Sequence, residues 1–384
     1  IQKPFEIYTI SDVNIFINNN YNNNKLIFEG YNFFTDNTIK VKPTAIINSI
    51  DIKPNKIFRE KDLLNTYKEK LNKLSNMNKD IKILDAHHHF WDLDKNYYPF
   101  LSDKIDNDFF LGDYSSIRHN YLPSDYGKDI KDHNVVGTIH CEAEWDREDQ
   151  IGETLWLDKL SKTSKFPTAI VGHAWFDKKN SEAIIAEQAS FDIVKGIRSK
   201  PTIRFSANSK EYDKSGSMQD LSWRKGLKLL EKYNLNYDLR VPAWHLEEAT
   251  EIVRLIPNTK VIINHAGFPW DRSKEGLNFW RKGVKAISTE PNTFIKLSEF
   301  GVKEQSWNYK QNADIIYELI DLFGPQRCMF ASNFPVSRLK ITFDDLFTNF
   351  KNIVKNFSLD EQISLFSDTA IKTYNIKITD IEKR

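Results

Sequence analysis

Cysteine is nearly absent from this chain: two residues, Cys141 and Cys328, in 384. They lie far apart in the sequence, which excludes a disulfide framework and makes a reducing, intracellular compartment the expectation, the cytoplasm first. Excess charge of one sign is also missing. Lys and Arg number 54 and Asp and Glu 53, a net charge of +1, so nothing marks a nucleic-acid or other polyanion partner. No apolar run approaches the ~20 residues of a membrane span, and no membrane association is expected. The chain opens on Ile1, not Met, and shows no signal-peptide apolar region. That opening is expected of a processed, truncated or partly observed chain, and is compatible with an organelle reached after removal of a transit peptide.

Apolar and aromatic residues are plentiful, at 40% and 13% of the chain, enough for a sizeable core. The length suggests two domains, or one barrel with an extension. Residues 1–80 are rich in Asn, Lys and Ile, with an Asn tract over 18–24 that reads as a low-complexity loop. Around it lie β-like segments at 5–10, 13–17, 25–29 and 38–41. Leu63, Leu64, Tyr67, Leu71 and Leu74 predict a helix over 59–74. The expectation is a β-rich N-terminal extension, linked by a helix, with no legible function.

From residue 81 the pattern becomes regular. Strands are predicted at 81–86, 135–142, 168–174, 194–198, 236–241, 260–265, 293–298 and 327–332. Helices are predicted between them at 148–162, 181–188, 221–233, 246–255, 277–290 and 313–323, with a closing helix at 358–374. Eight such βα units predict an α/β fold, a closed (β/α)8 TIM barrel over 81–375 followed by a tail at 376–384. The first connection, 90–133, is the longest insertion. Its Trp91, Tyr97, Tyr98, Pro99, Phe100, Phe109, Phe110 and Tyr114 suit a lid over a barrel mouth.

Polar residues gather at the predicted strand ends, where such barrels carry their chemistry. The first strand ends in Ile83-Leu84-Asp85-Ala86-His87-His88-His89. Strand alternation places His87 and His89 on one face and His88 on the other, a start on a divalent-metal site. The plainer alternative is a hydrogen-bonded pair that tightens the turn. His140, Glu142 and Glu144 alternate along the second strand, on one face. His173 ends the third, Arg198 the fourth, Arg240 the fifth with His245 beyond, His265 the sixth, Lys296-Leu297-Ser298-Glu299 the seventh and Asn333 the eighth. Six of the nine histidines fall at such ends, closer together than chance placement gives. His265 is a site residue or a helix cap. His140 reads as a satisfied barrel-interior histidine, His245 as the solvent-facing start of a helix, and His88 as structural. Glu142 is a ligand or general base, or else an ion pair to Arg198 or Arg240. The two arginines suit a substrate carboxylate or lactone oxygen. His173 and Trp91 are candidates for the substrate wall, and Asn333 for a polar contact.

Asp85-Ala86-His87-His88-His89-Phe90-Trp91-Asp92, Gly137-Thr138-Ile139-His140-Cys141-Glu142-Ala143-Glu144-Trp145, Gly196-Ile197-Arg198, Asn264-His265-Ala266-Gly267, Lys296-Leu297-Ser298 and Met329-Phe330-Ala331-Ser332-Asn333-Phe334-Pro335-Val336 resemble the amidohydrolase-related (amidohydrolase 2) family of the amidohydrolase superfamily, nearest its lactonase branch. The resemblance runs in order over 81–374 and leaves out the first 80 residues. It implies a distorted TIM barrel that hydrolyses a lactone, amide or related bond with activated water. It implies His87, His89 and His265 as ligands of one divalent ion, zinc by preference, although some lactonase relatives work without a tightly bound metal. At the eighth strand the family's Asp is replaced by Asn333, an amide that accepts a hydrogen bond but is no useful base. Catalysis would then involve Glu142 or His265 beside Asn333, on a small acidic or sugar-acid substrate. Two other readings stay open: a catalytically inactive barrel serving as a binding or complex subunit, and a decarboxylase of the same superfamily. Homo-oligomerisation or a complex partner would be reached through the N-terminal extension.

Overall fold

The computed structural model describes residues 81–209, 212, 214–377 and 381, together with the backbone of 16–17 and 28–29. The chain divides into two units, residues 1–78 with 354–358, and residues 79–353 with 359–384. In the first unit Phe16–Ile17 pairs antiparallel with Phe28–Glu29, inside two of the segments expected to be β. The other expected strands of the extension, its Asn tract and its helix lie outside the described residues.

The second unit holds the barrel. Eight parallel strands follow one another in sequence order around a single sheet. They are β1 (Ile83–His88), β2 (Val135–Cys141), β3 (Ala169–Gly172), β4 (Val194–Ile197), β5 (Asn236–Leu239), β6 (Val261–Ile263), β7 (Thr293–Leu297) and β8 (Cys328–Phe330). All but β1 fall within their predicted segments; β1 runs two residues past its expected end at Ala86 and takes in His87 and His88. Short apolar runs such as Val261–Ile263, buried throughout, suit strands covered on both faces.

Most expected helices are present: α3 (Gly152–Ser161), α4 (Ser181–Ala189), α5 (Leu221–Lys232), α6 (Leu246–Val253), α7 (Lys274–Ser288) and α8 (Tyr309–Phe323), after α1 (Pro99–Ser102) and α2 (Pro123–Asp129) in the first connection. Two start earlier than predicted because polar caps set their ends. Ser273 accepts from Gly276 N and Asn308 from Gln311 N. Helix α9 (Phe343–Ile353) was not among the expected helices, although Phe343, Leu346, Phe347 and Phe350 form its buried stripe. The closing helix is divided into α10 (Leu359–Ile363), a π-helical turn at Ser364–Asp368, and α11 (Thr369–Thr373).

The cylinder is closed by the segment after β8, not by a full β8–β1 ladder. Asn333 N donates to His87 O (2.7 Å) and His89 N to Phe334 O (2.8 Å). The Asp85 carboxylate reinforces this seam by accepting from Ser332 N (2.8 Å), Ser332 Oγ (2.6 Å) and Tyr126 OH (2.8 Å). At the opposite end, where the strands begin, the chain's last helix acts as a plug. Asn236 Nδ2 and Lys260 Nζ donate to carbonyls at Thr373 and Lys372–Thr373. Tyr374 and Ile376 join the buried cluster of Leu84, Ala86, Ile139, Cys141, Val171 and Met329. Among the described residues, the strands' C-terminal end is the one left open to form the cavity at the barrel mouth.

Candidate active site

An irregularity in β1 turns its histidines inward. Asp85 pairs with Thr138 but His88 with His140, so β1 carries one residue more than β2 over this stretch. Leu84 and Ala86 lie in the interior cluster before the bulge. Past it, His87 faces the interior beside Lys296, and the His87 and His89 rings meet at 5.0 Å. The two histidines therefore share a face, as alternation predicts, but in a phase the sequence does not show. His88 points outward, to Thr138 Oγ1 (2.9 Å) and the Phe90 and Tyr126 rings.

Three later strand ends complete the group. Strands β6, β7 and β8 run on into His265 (φ 55°), Glu299 (φ 53°) and Asn333 (φ 54°), non-glycine residues in the left-handed region. Such conformations are unfavourable and tend to occur where a site demands them. The His265 ring packs 4.5 Å from that of His87, and its Nδ1 lies 3.0 Å from Ser298 Oγ. His89 Nδ1 lies 2.8 Å from Cys141 O, and its Nε2 is 3.1 Å from the Asn333 amide. Asn333 in turn donates to Glu299, whose carboxyl is pushed up to about 7 by burial. Burial holds His87, His89 and His265 well below the usual histidine range, with nearby cations adding to it, and keeps them neutral at pH 7.

A cavity of about 280 Å³ opens above these rings. His89, His265, Asn333, Arg198, Arg240 and Arg147 line its polar side, and Trp91, Phe100, Phe109 and Phe110 its apolar side. The aromatic insertion thus covers the mouth as expected. Trp91 is tied down by its Nε1 donating to His119 O (2.7 Å), and Phe110 meets Trp270 from the loop after β6 (5.2 Å).

Above the rings lies a group of ion pairs. Glu142 accepts from Arg198 Nε (2.6 Å) and Arg147 Nη1 (2.8 Å), with Lys200 Nζ at 3.8 Å. Burial alone would raise the Glu142 carboxyl. Arg147, Arg198 and Lys200 outweigh it and hold the group well below the carboxylate range. Glu142 is therefore a poor base and stands behind the cavity wall, orienting guanidinium groups. Its ion pair is to Arg198, not Arg240. Glu144 pairs with Arg147 and Lys200. Arg240 makes no hydrogen bond or ion pair among the described residues. It lies over the Phe268 ring at 5.4 Å, and burial lowers it only to about 10, so it remains a cation.

The remaining candidates lie elsewhere. His140 does not share a face with Glu142, because β2 ends at Cys141 and alternation stops there. Its Nδ1 accepts from Phe90 N (3.1 Å) and its Nε2 meets Glu153 (3.2 Å), in the layer outside the barrel. His173 lies behind Arg198 O (3.3 Å), packed on Trp175, and does not line the cavity. His245 is buried, not solvent-facing, and is held by Glu248 and by Arg204 N. Arg147 and Lys200 carry no motif in the sequence, and Glu299 is marked only by its place at the end of the seventh predicted strand. Of the first two, a hint exists only for Arg147, three residues beyond Glu144 in the same loop.

The donors do not fit a tightly held divalent ion. Among the described residues no group of three or more His, Cys, Asp or Glu could hold one, and the eighth strand end supplies an amide. A metal-binding histidine normally donates its second N–H to a carbonyl or carboxylate. His89 has that arrangement. His87 has the opposite one, with the Lys296 ammonium 3.5 Å from its Nδ1.

A family model described as Amidohydrolase matches residues 84–376. The uncharacterised protein y4mH of Sinorhizobium fredii is 35% identical over 297 residues, covering 77% of this chain and 99% of that one. An L-fucono-1,5-lactonase of Burkholderia multivorans is 23% identical over 305 residues, 76% of this chain and 95% of that one. The fold is similar to that of an amidohydrolase from Burkholderia multivorans crystallised with bound zinc, at 21% identity and a TM-score of 0.64, covering 77% of this chain and 99% of that one. No helix among the described residues is long and apolar enough to cross a membrane.

Proposed function

The chain belongs to the amidohydrolase family, and from that premise we propose that it hydrolyses the ring ester of a small acidic or sugar-acid lactone. The observation that carries this reading is one cavity with two neutral imidazoles, His89 and His265, at its floor, a third, His87, packed against both, and on its wall a guanidinium, Arg240, with no ion pair among the described residues. The lactonase name of a relative supports it. In this reading Arg240 and Arg198 hold the polar substituents of the ring, and the aromatic wall covers its apolar face. The imidazole floor receives the carbonyl. His265, its Nδ1–H engaged by Ser298, has Nε2 free to take a proton from the attacking water. The water oxygen bonds to the carbonyl carbon, the ring C–O bond breaks, and the proton passes to the leaving ring oxygen, giving the hydroxy acid. The test is hydrolysis across a panel of neutral and acidic lactones, followed by His265→Asn. Turnover of an acidic or sugar-acid lactone is expected, falling ~10²–10⁴-fold in the variant. No turnover of any lactone, or an unaffected variant, would overturn the proposal.

A further inference from the structure

Below the floor lies a fully buried polar group formed by Lys296, Asp238, Cys141, Tyr374 and Asn264. Lys296 Nζ stands 2.6 Å from Asp238 Oδ1, 3.2 Å from Cys141 Sγ and 3.5 Å from His87 Nδ1. An ammonium has three protons to donate and nothing with which to accept. These three contacts match its three donors, and Nδ1 of His87 must then be the acceptor. In a neutral imidazole one nitrogen accepts and the other carries hydrogen, so the hydrogen of His87 resides on Nε2. That Nε2 is buried and has no hydrogen-bond partner among protein atoms, a condition that calls for a catalytic role, a water or an ion to complete it. The ring lies against both His89 and His265, which line the cavity.

The two members of the His-x-His pair thus face opposite partners at Nδ1, an ammonium at His87 and a carbonyl at His89. His89 Nδ1 faces the Cys141 carbonyl and donates to it, and its Nε2 faces Asn333 Oδ1. We infer that Lys296 is a positioning residue that fixes His87 as an Nε2–H donor, so that His87 gives a hydrogen bond to the substrate carbonyl oxygen and does not ligate a metal. The catalytic consequence rests on the lactonase reading; the tautomer does not. Asp238 keeps Lys296 in place and is itself held by Tyr374 OH (2.8 and 3.0 Å) and Asn264 Nδ2 (2.9 Å). The helix that plugs the barrel therefore supports the orientation of a ring at its mouth.

The test is ¹⁵N NMR of the full chain with labelled histidine and no added metal, with the His87 signals assigned through His87→Gln. Nε2 protonated and Nδ1 bare is the expected result; a proton on Nδ1 would overturn the inference. Zinc titration by equilibrium dialysis gives a second readout. Removing the donor in Lys296→Met should let His87 turn to the metal-binding tautomer and tighten zinc binding at least tenfold. Should Asp238, left alone, unfold that variant, Lys296→Met with Asp238→Asn keeps the comparison. Wild-type protein that binds zinc as tightly as the variant, with its His87 Nε2 shifted by the metal, would also overturn it. Neither readout uses a lactone, so loss of the tautomer and loss of the proposed activity are separate results.

Discussion

Two charged groups lie along the barrel axis, and they are built differently. In the lower one a single ammonium, Lys296, meets a single carboxylate, Asp238. Both are fully buried and their partners are protein atoms. In the upper one Arg147, Arg198 and Lys200, the last lowered by burial to about 7, share two carboxylates, Glu142 and Glu144, and among the described residues a further cation, Arg240, has no ion pair. Asn264 joins the two, donating to Asp238 and accepting from Arg198 (3.4 Å). A balanced buried pair holds a geometry, because either charge alone would be strongly unfavourable there. An unbalanced group at a cavity wall attracts an anion. On the proposed reading the lower group is a support and the upper one a receptor.

The sharpest way to break this contrast is Lys296→Met. It leaves the Asp238 carboxylate buried without its ammonium and should lower stability by ~3–5 kcal/mol, read as a fall in the urea midpoint. A variant as stable as wild type would mean that the lower group is not a support. Arg240→Gln should do the reverse. Folding stability stays near wild type, while kcat/KM for a carboxylate-bearing lactone falls roughly 10- to 100-fold, about 1.5–3 kcal/mol. A large loss of stability with unchanged kcat/KM would exchange the two roles. Tyr374→Phe removes one hydroxyl from Asp238 and should cost about 1 kcal/mol in thermal unfolding.

The smallest effect is expected at Glu153, behind the upper group. Burial, with the Glu142 charge adding to it, pushes this carboxyl from 4.5 up to about 8. The folded state therefore binds more protons than the unfolded one across that window. Its contribution to stability is complete below pH 4.5 and is lost as pH rises through about 8. Glu153→Gln keeps an acceptor for Ala143 N and His140 and should leave stability at pH 7 nearly unchanged. The decline of Tm with pH should become shallower; an unchanged slope would place the proton elsewhere.

Much of this was readable in advance, and the gaps have causes. The eight strands were legible because each is a short apolar run set between amphipathic segments. His87, His89, His265, Arg198, Arg240 and Asn333 were legible because each lies at a strand end. Helix α9 had a legible stripe in Phe343, Leu346, Phe347 and Phe350 that went unread. His140 was misplaced because alternation was carried past the end of β2. Arg147 and Lys200 are not legible because they sit in loops, where no periodicity reports which way a side chain points, and Glu299 is legible as a strand-end residue but not as the partner of Asn333.

The sequence by itself determined the barrel and the chemical types that ring its mouth, since both follow from local periodicity and residue identity. Only the tertiary structure decided which charges are compensated, which nitrogen of His87 carries hydrogen, and that a helix more than 280 residues beyond that histidine supports it. Charge balance and hydrogen-bond direction depend on what stands within about 3 Å of an atom, and that neighbour comes from another strand, far along the chain.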